Sequence, residues 1–265
     1  MKYCRFEFNG VPECGLIESV AGRDTITRVL LKPPEEAGNL SNLPSRPIDP
    51  LPFREASLLV PVRPSKIICV GRNYRAHAAE LGNEVPQEPL LFFKPPSALL
   101  APGKKILRPK LSQRTDYEGE LGVVIGRQCH KLSPDADVRS YILGYTAVND
   151  FTARDLQKKD GQWTRAKGFD TFCPVGPLVT NEIDPWVGVT VETRVNGQVR
   201  QHGNTQDFIF PLDLIIRYAA YVMTLVPGDL IATGTPEGVG PVAAGDVIEI
   251  TVEGVGTLRN PVEDE

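Results

Sequence analysis

The chain has 265 residues, a formal net charge of -4, 41% hydrophobic and 23% charged residues, the balance of an ordinary globular protein able to bury one sizeable core. The absence of a basic run excludes nucleic acid as the expected partner, and no apolar stretch approaches the ~20 residues that cross a bilayer. The opening MKYCRFEFNG lacks a secretory apolar segment, and five scattered cysteines without a C-x-x-C suit reduced thiols, so a cytoplasmic location is expected.

Heavy glycine and proline punctuation favours many short strands over long helices. Residues 1–60 hold short alternating segments (YCRFEF, CGLIESV, TITRVLL) that end in a Pro-rich linker, LSNLPSRPIDPLPF. They read as a small N-terminal β-rich unit ahead of a main domain over 61–265. SKIICVG reads as a buried strand and NYRAHAAEL as a short helix stopped by Gly82. Thr115 to Gly126, TDYEGELGVVIG, reads as one strand, and ILGYTAV as another that ends at Asn149-Asp150. VETRVNGQVRQ is a hairpin whose Asn196-Gly197 supplies the positive φ of a type I′ turn. PLDLIIRYAAYVMTL is the best helix, opened by Pro211 and closed before Pro227-Gly228. DLIATGTP and DVIEITVEGVGTLRNPV return to strand, so the fold class is a β-dominated α+β domain.

Glu118 and Glu120 are two apart in a strand, so their side chains share a face. Like charges that close repel unless a cation lies between them or the face is solvated. Asp150 at a strand end is either a turn former or a third carboxylate of the same set. Glu118, Glu120 and Asp150 together make an all-oxygen donor set that suits hard cations, Mg²⁺ first, Mn²⁺ next, with Ca²⁺ admitted, and disfavours zinc. His77 and Glu80 are three apart on a helix and share a face. They are either a solvated pair or a carboxylate that raises the basicity of an imidazole. Arg154 offers a planar fork for a carboxylate and Lys167 a point charge, if they are not surface groups. Thr233 and Thr235 lie in a Gly-rich turn, ATGTPEGVG, that can hold an anion but is not a Walker A loop.

GRNYRAHAAE, FFKPPSALLAPG, DYEGELGVVIG, GYTAVNDFTARDLQ, KGFDTFCPVGP, VNGQVRQHGNTQDFIFP and VPGDLIATGTPEGVG resemble, in order, the signature blocks of the fumarylacetoacetate hydrolase family. The resemblance spans about residues 65–260. It implies a mixed β-sandwich rolled into a barrel-like body, usually a homodimer, with a divalent metal on Glu118, Glu120 and Asp150. It also implies a water-activating dyad of His77 and Glu80 on a mobile lid, with Arg154, Gln157, Lys167 and Thr235 around the substrate. The short stretch ahead of the core, without an extra aspartate ligand, resembles the branch of acylpyruvate hydrolases, oxaloacetate decarboxylases and tautomerases, and isomerases of homoprotocatechuate breakdown. The expected function is therefore metal-dependent hydrolysis of a C–C bond in a small 2,4-dioxo acid of acylpyruvate or fumarylpyruvate type. The alternatives are a decarboxylase, isomerase or tautomerase acting on oxaloacetate or 2-hydroxyhepta-2,4-diene-1,7-dioate, and a non-catalytic dicarboxylate binder.

Overall fold

The strand Gly119–Ile125 is buried along its whole length, and its alternation places it between two apolar layers. Leu121, Val123 and Ile125 face one core cluster, while Val124 belongs to the other. The structure, a computed structural model, describes residues 1–37, 40 and 43–265. Among these, twelve strands form the largest sheet. Its main path runs Ser45–Pro52, Arg23–Leu30, Val11–Val20, Lys2–Phe8, Cys173–Thr180, Ile142–Asn149, Gly119–Ile125, Leu230–Ala232, Ile67–Gly71, Leu90–Lys94. A five-stranded sheet (Gln198–Asn204, Thr190–Val195, Val247–Val252, Gly256–Asp264, Ile106–Arg108) contributes Val191, Ile248 and Ile250 to the Leu121 cluster. A small third sheet holds Thr152–Ala153, Thr115–Tyr117 and Gly240–Pro241. The architecture is the expected β-dominated α+β fold of mixed sheets. No helix among the described residues is long and apolar enough to cross a membrane.

Residues 1–60 contribute strands that extend the large sheet, joined to it by the pairing of Lys2 with Thr180 and Tyr3 with Val179. The Pro-rich stretch expected as a linker is in part a strand: Ser45–Pro52 pairs with Arg23–Leu30, while Ser41 and Asn42 lie outside the described residues. An edge strand has one side without partners, which is where proline's missing N–H is tolerated. The Asn196-Gly197 turn has φ of 52° and 77°, as the hairpin requires. The long helix covers Leu212–Val222 and stops at Met223, short of the expected end. Beyond it Leu225 exchanges backbone hydrogen bonds of 2.9 and 3.0 Å with Cys129, a pairing that overrides helix propensity.

The expected single strand over Thr115–Gly126 is two. Tyr117 pairs with Gly240 in the small sheet and Gly119 with Asn149 in the large one, so the chain changes sheets at Glu118. Asn149 Oδ1 accepts from the Glu118 N–H at 3.0 Å, and Glu118 O accepts from the Asp150 N–H at 2.9 Å. Gly119 is needed here because the five-stranded sheet comes close: a Cβ would lie 2.1 Å from Thr193 Oγ1 and 3.3 Å from Ile250. Gly119→Ala should therefore destabilise the fold by about 1–3 kcal/mol, read as a lower denaturant midpoint. Adding Thr193→Ala should recover part of that loss, and additive losses in the double variant would contradict the steric cause.

Candidate active site

Glu118, Glu120 and Asp150 converge where the sheets meet. Their ligand oxygens lie within 4.8 Å of one another and all three residues are buried. Two of them are crossed by cations. Lys167 Nζ, at the end of the short helix Thr164–Lys167, donates to Glu118 Oε2 at 2.8 Å and to Asp150 Oδ2 at 2.6 Å. Arg154, which opens the helix Arg154–Asp160, donates through Nη2 to Glu118 Oε1, through Nε to Asp116 Oδ2 at 2.9 Å and through Nη1 to Gln157 Oε1 at 2.7 Å. Lys94 Nζ donates to Asp150 Oδ1 at 2.6 Å and to the Phe151 carbonyl at 3.0 Å. A continuous alternation of charge results: Lys94, Asp150, Lys167, Glu118, Arg154, Asp116.

Glu120 stands beside that chain without a cation of its own among the described residues. Its Oε2 accepts from the Gly234 N–H at 2.8 Å. Burial, then the neighbouring Asp150 and Glu118, push its carboxyl well above the usual carboxylate range. Burial acts on Glu118 in the same direction, but Lys167 and Arg154 outweigh it and hold that carboxyl well below the usual range. Burial alone would lower Lys167, and Asp150 and Glu118 raise it instead. A hard cation fits this donor set, because it would supply the counter-charge that Glu120 lacks and add to three converging oxygens.

The Gly-rich turn does hold an anion, and that anion is Glu120. Thr235 Oγ1 donates to the Gly119 carbonyl at 2.9 Å and accepts from Gln201 Nε2 at 2.7 Å, so its hydroxyl clamps the backbone between Glu118 and Glu120. Thr233 Oγ1 donates to the Leu121 carbonyl at 2.8 Å. The fork of Arg154, expected to meet a substrate carboxylate, gives three of its five N–H donors to Asp116, Glu118 and Gln157.

His77 lies on the helix Arg75–Glu80 and is 5% exposed. Its Nδ1 has no hydrogen-bond partner and is 3.6 Å from Glu80 Oε2, while the Glu80 carboxylate accepts from the Gly238 N–H at 3.1 Å. Burial lowers the imidazole's pKa and Glu118 opposes that shift. The ring is thus kept neutral, the form that can accept a proton. His77, Glu118, Glu120, Asp150, Arg154, Gln157, Lys167 and Thr235 line one cavity of about 50 Å³, room for a few waters. Glu80 stands outside that lining.

Sequence reasoning missed Lys94, Asp116 and Gln201. Lys94 left a signal: a lone charge closing the strand LLFFK and 1% exposed, which requires a buried partner. Asp116 and Gln201 left none, since their roles depend on which strands become neighbours.

Residues 66–263 match the family model described as fumarylacetoacetate (FAA) hydrolase C-terminal. Oxaloacetate tautomerase YisK of Bacillus subtilis (strain 168) is 39% identical over 276 residues, covering 97% of this chain and 89% of that protein. Among solved structures, the 5-carboxymethyl-2-hydroxymuconate delta-isomerase from Mycobacterium smegmatis is 41% identical, with a TM-score of 0.89 over 100% of both chains. The fumarylpyruvate hydrolase from Pseudomonas aeruginosa, solved in complex with Mn²⁺ and pyruvate, is 32% identical, with a TM-score of 0.71 over 78% of this chain and 91% of that one. An isomerase and a hydrolase thus share this frame of sheets, a tautomerase is alike in sequence, and the chain belongs to the fumarylacetoacetate hydrolase family.

Proposed function

We propose that the protein is a divalent-metal-dependent hydrolase of a small 2,4-dioxo acid, using Mg²⁺ or Mn²⁺ on Glu118, Glu120 and Asp150. The observation that carries this reading is a neutral, buried imidazole lining the same cavity as three converging carboxylates. The bound ion would supply Lewis-acid charge to the carboxylate and 2-oxo oxygens of the acid. His77 takes a proton from water. Glu80 Oε2 stands 3.6 Å from Nδ1, on the side of the ring that would carry the hydrogen when Nε2 acts as the base. The water oxygen adds to the distal ketone carbon, and the bond from that carbon to C3 breaks. Its electron pair is delocalised toward the 2-oxo oxygen, and a proton returned to C3 completes pyruvate beside a carboxylic acid. Lys167 provides positive charge fixed in advance of the reaction, and Arg154 holds Glu118 in place. The hydroxyl of Thr235 holds the backbone between the glutamates, and Gln157, whose Oε1 is occupied by Arg154, offers its amide N–H groups to the substrate. All the cavity-lining residues lie at position 70 or beyond, so we place the boundary of the N-terminal unit near residue 60 and give it no part in the chemistry. A cytoplasmic homodimer belongs to the same proposal and is supported by family membership alone.

A second reading, an enol–keto tautomerase or isomerase, is favoured by the whole-length likeness to the tautomerase and the isomerase. It uses the same His77 to move one proton and needs no attacking water. Acylpyruvates, oxaloacetate and enol-oxaloacetate assayed with Mg²⁺ and Mn²⁺ separate the two. Hydrolysis releases one pyruvate per acylpyruvate, whereas tautomerisation removes the enol absorbance with none released.

Glu118→Gln and Glu120→Gln keep the shape and remove a charge. Each should weaken Mn²⁺ binding by at least about 10-fold in calorimetry with the circular dichroism spectrum unchanged. Parent-like affinity in both would remove the metal centre from this site. His77→Ala should keep Mn²⁺ bound and lower acylpyruvate cleavage by about 10²–10⁴-fold, while a good fraction of any oxaloacetate decarboxylation survives. Undiminished cleavage in that variant would leave the hydrolytic mechanism without its base.

A further inference from the structure

The cavity has a third cation besides Arg154 and Lys167. Arg72 lines it, is half-buried, and forms no ion pair or hydrogen bond through its guanidinium among the described residues. Its backbone has φ +57°, a region that residues with large side chains rarely adopt. The next residue pins the turn: Asn73 Nδ2 donates to the Thr233 carbonyl at 2.8 Å and to the Phe210 carbonyl at 3.3 Å, and its Oδ1 accepts from the Phe210 N–H at 2.8 Å. On the other side Trp163 packs 3.0 Å from where a Cβ on Gly71 would lie. A turn that needed only its shape would take glycine or asparagine at position 72. Arginine there accepts an unfavourable backbone to put a charge at the cavity.

Charge counting says what that guanidinium is for. Asp116, Glu118, Glu120 and Asp150, all ionised as a bound metal would require, are buried with Lys94, Arg154 and Lys167, one negative charge in excess. Arg114, which also pairs with Asp116, is half exposed and screened by water. A divalent ion turns that excess into one positive charge, which the carboxylate of a bound 2-oxo acid cancels. The charge of Arg72 is then left over.

The geometry points to Arg72 as the specificity-determining residue, binding a second, distal carboxylate, so that the preferred substrate is a 2-oxo dicarboxylate and not a monocarboxylate with an apolar tail. This rests on the reading of a metal-held 2-oxo acid given above. Arg154 already spends three of its five N–H donors on Asp116, Gln157 and Glu118, whereas the Arg72 guanidinium has no such partner among the described residues.

Calorimetry on the Mn²⁺-loaded protein tests this with two pairs of acids that differ only in the distal carboxylate: 2-oxoglutarate against 2-oxopentanoate, and oxaloacetate against 2-oxobutanoate. The parent protein should bind the dicarboxylate of at least one pair about 10–100-fold more tightly, the range of a charge-assisted hydrogen bond. Arg72→Asn, a residue at ease at positive φ, should lose that preference with Mn²⁺ affinity unchanged, and Arg72→Lys should keep part of it. Parent protein with no preference at either chain length, or Arg72→Asn weakening both members of a pair alike, overturns the proposal while leaving the metal centre standing. Failure of the parent protein to bind Mn²⁺ sinks the metal centre and this proposal with it.

Discussion

Four carboxylates buried together set the terms for the rest of this molecule. Taking each out of water is unfavourable by several kcal/mol unless cations and hydrogen bonds accompany it. The cations come from three separate parts of the chain: Lys94 closes an edge strand, Arg154 opens a helix, and Lys167 ends another. None of these is near Glu118 in sequence, so charge compensation is complete only when the sheets have closed. The site is consequently a product of the tertiary fold and has no local precursor. It also explains why a site so rich in acids is held firmly: both carboxylate oxygens of Asp116, Glu118 and Asp150 accept hydrogen bonds, and Glu120 accepts one through Oε2.

The same junction explains the local sequence. A chain that leaves one sheet at Tyr117 and enters another at Gly119 frees Glu118 from regular pairing. Asn149 and Asp150, at the end of the adjoining strand, fill the gap with a side-chain amide and a backbone N–H. The small residue between the glutamates lets the five-stranded sheet approach, and Gln201 from that sheet donates to Thr235 and accepts from the Gly119 N–H at 3.0 Å. Change of sheet, close approach and convergence of acids are one event.

Much of this was legible in the sequence. The period-2 spacing placed Glu118 and Glu120 on one face, the apolar strand before Asn149-Asp150 pointed that pair at a strand end, and Asn196-Gly197 marked its hairpin. These signals are local, depending on side-chain period or backbone φ. The division of Thr115–Gly126 into two strands was not legible, because it depends on which strands lie alongside. The early end of the long helix was hidden for the same reason, being set by Cys129. The bonds of Arg154 to Asp116, Glu118 and Gln157 were not legible either, because a sequence shows a guanidinium's chemistry and not its neighbours in the fold.

The strand Ser45–Pro52 ends the large sheet on one side, and it carries Pro47, Pro50 and Pro52. A sheet of this length with an open margin is a template on which a strand from another molecule can add. Proline offers no N–H, so this margin presents an interrupted row of donors and a poor template. Replacing these prolines would leave the cavity and its charges untouched and still endanger the protein, by making that margin sticky at high concentration.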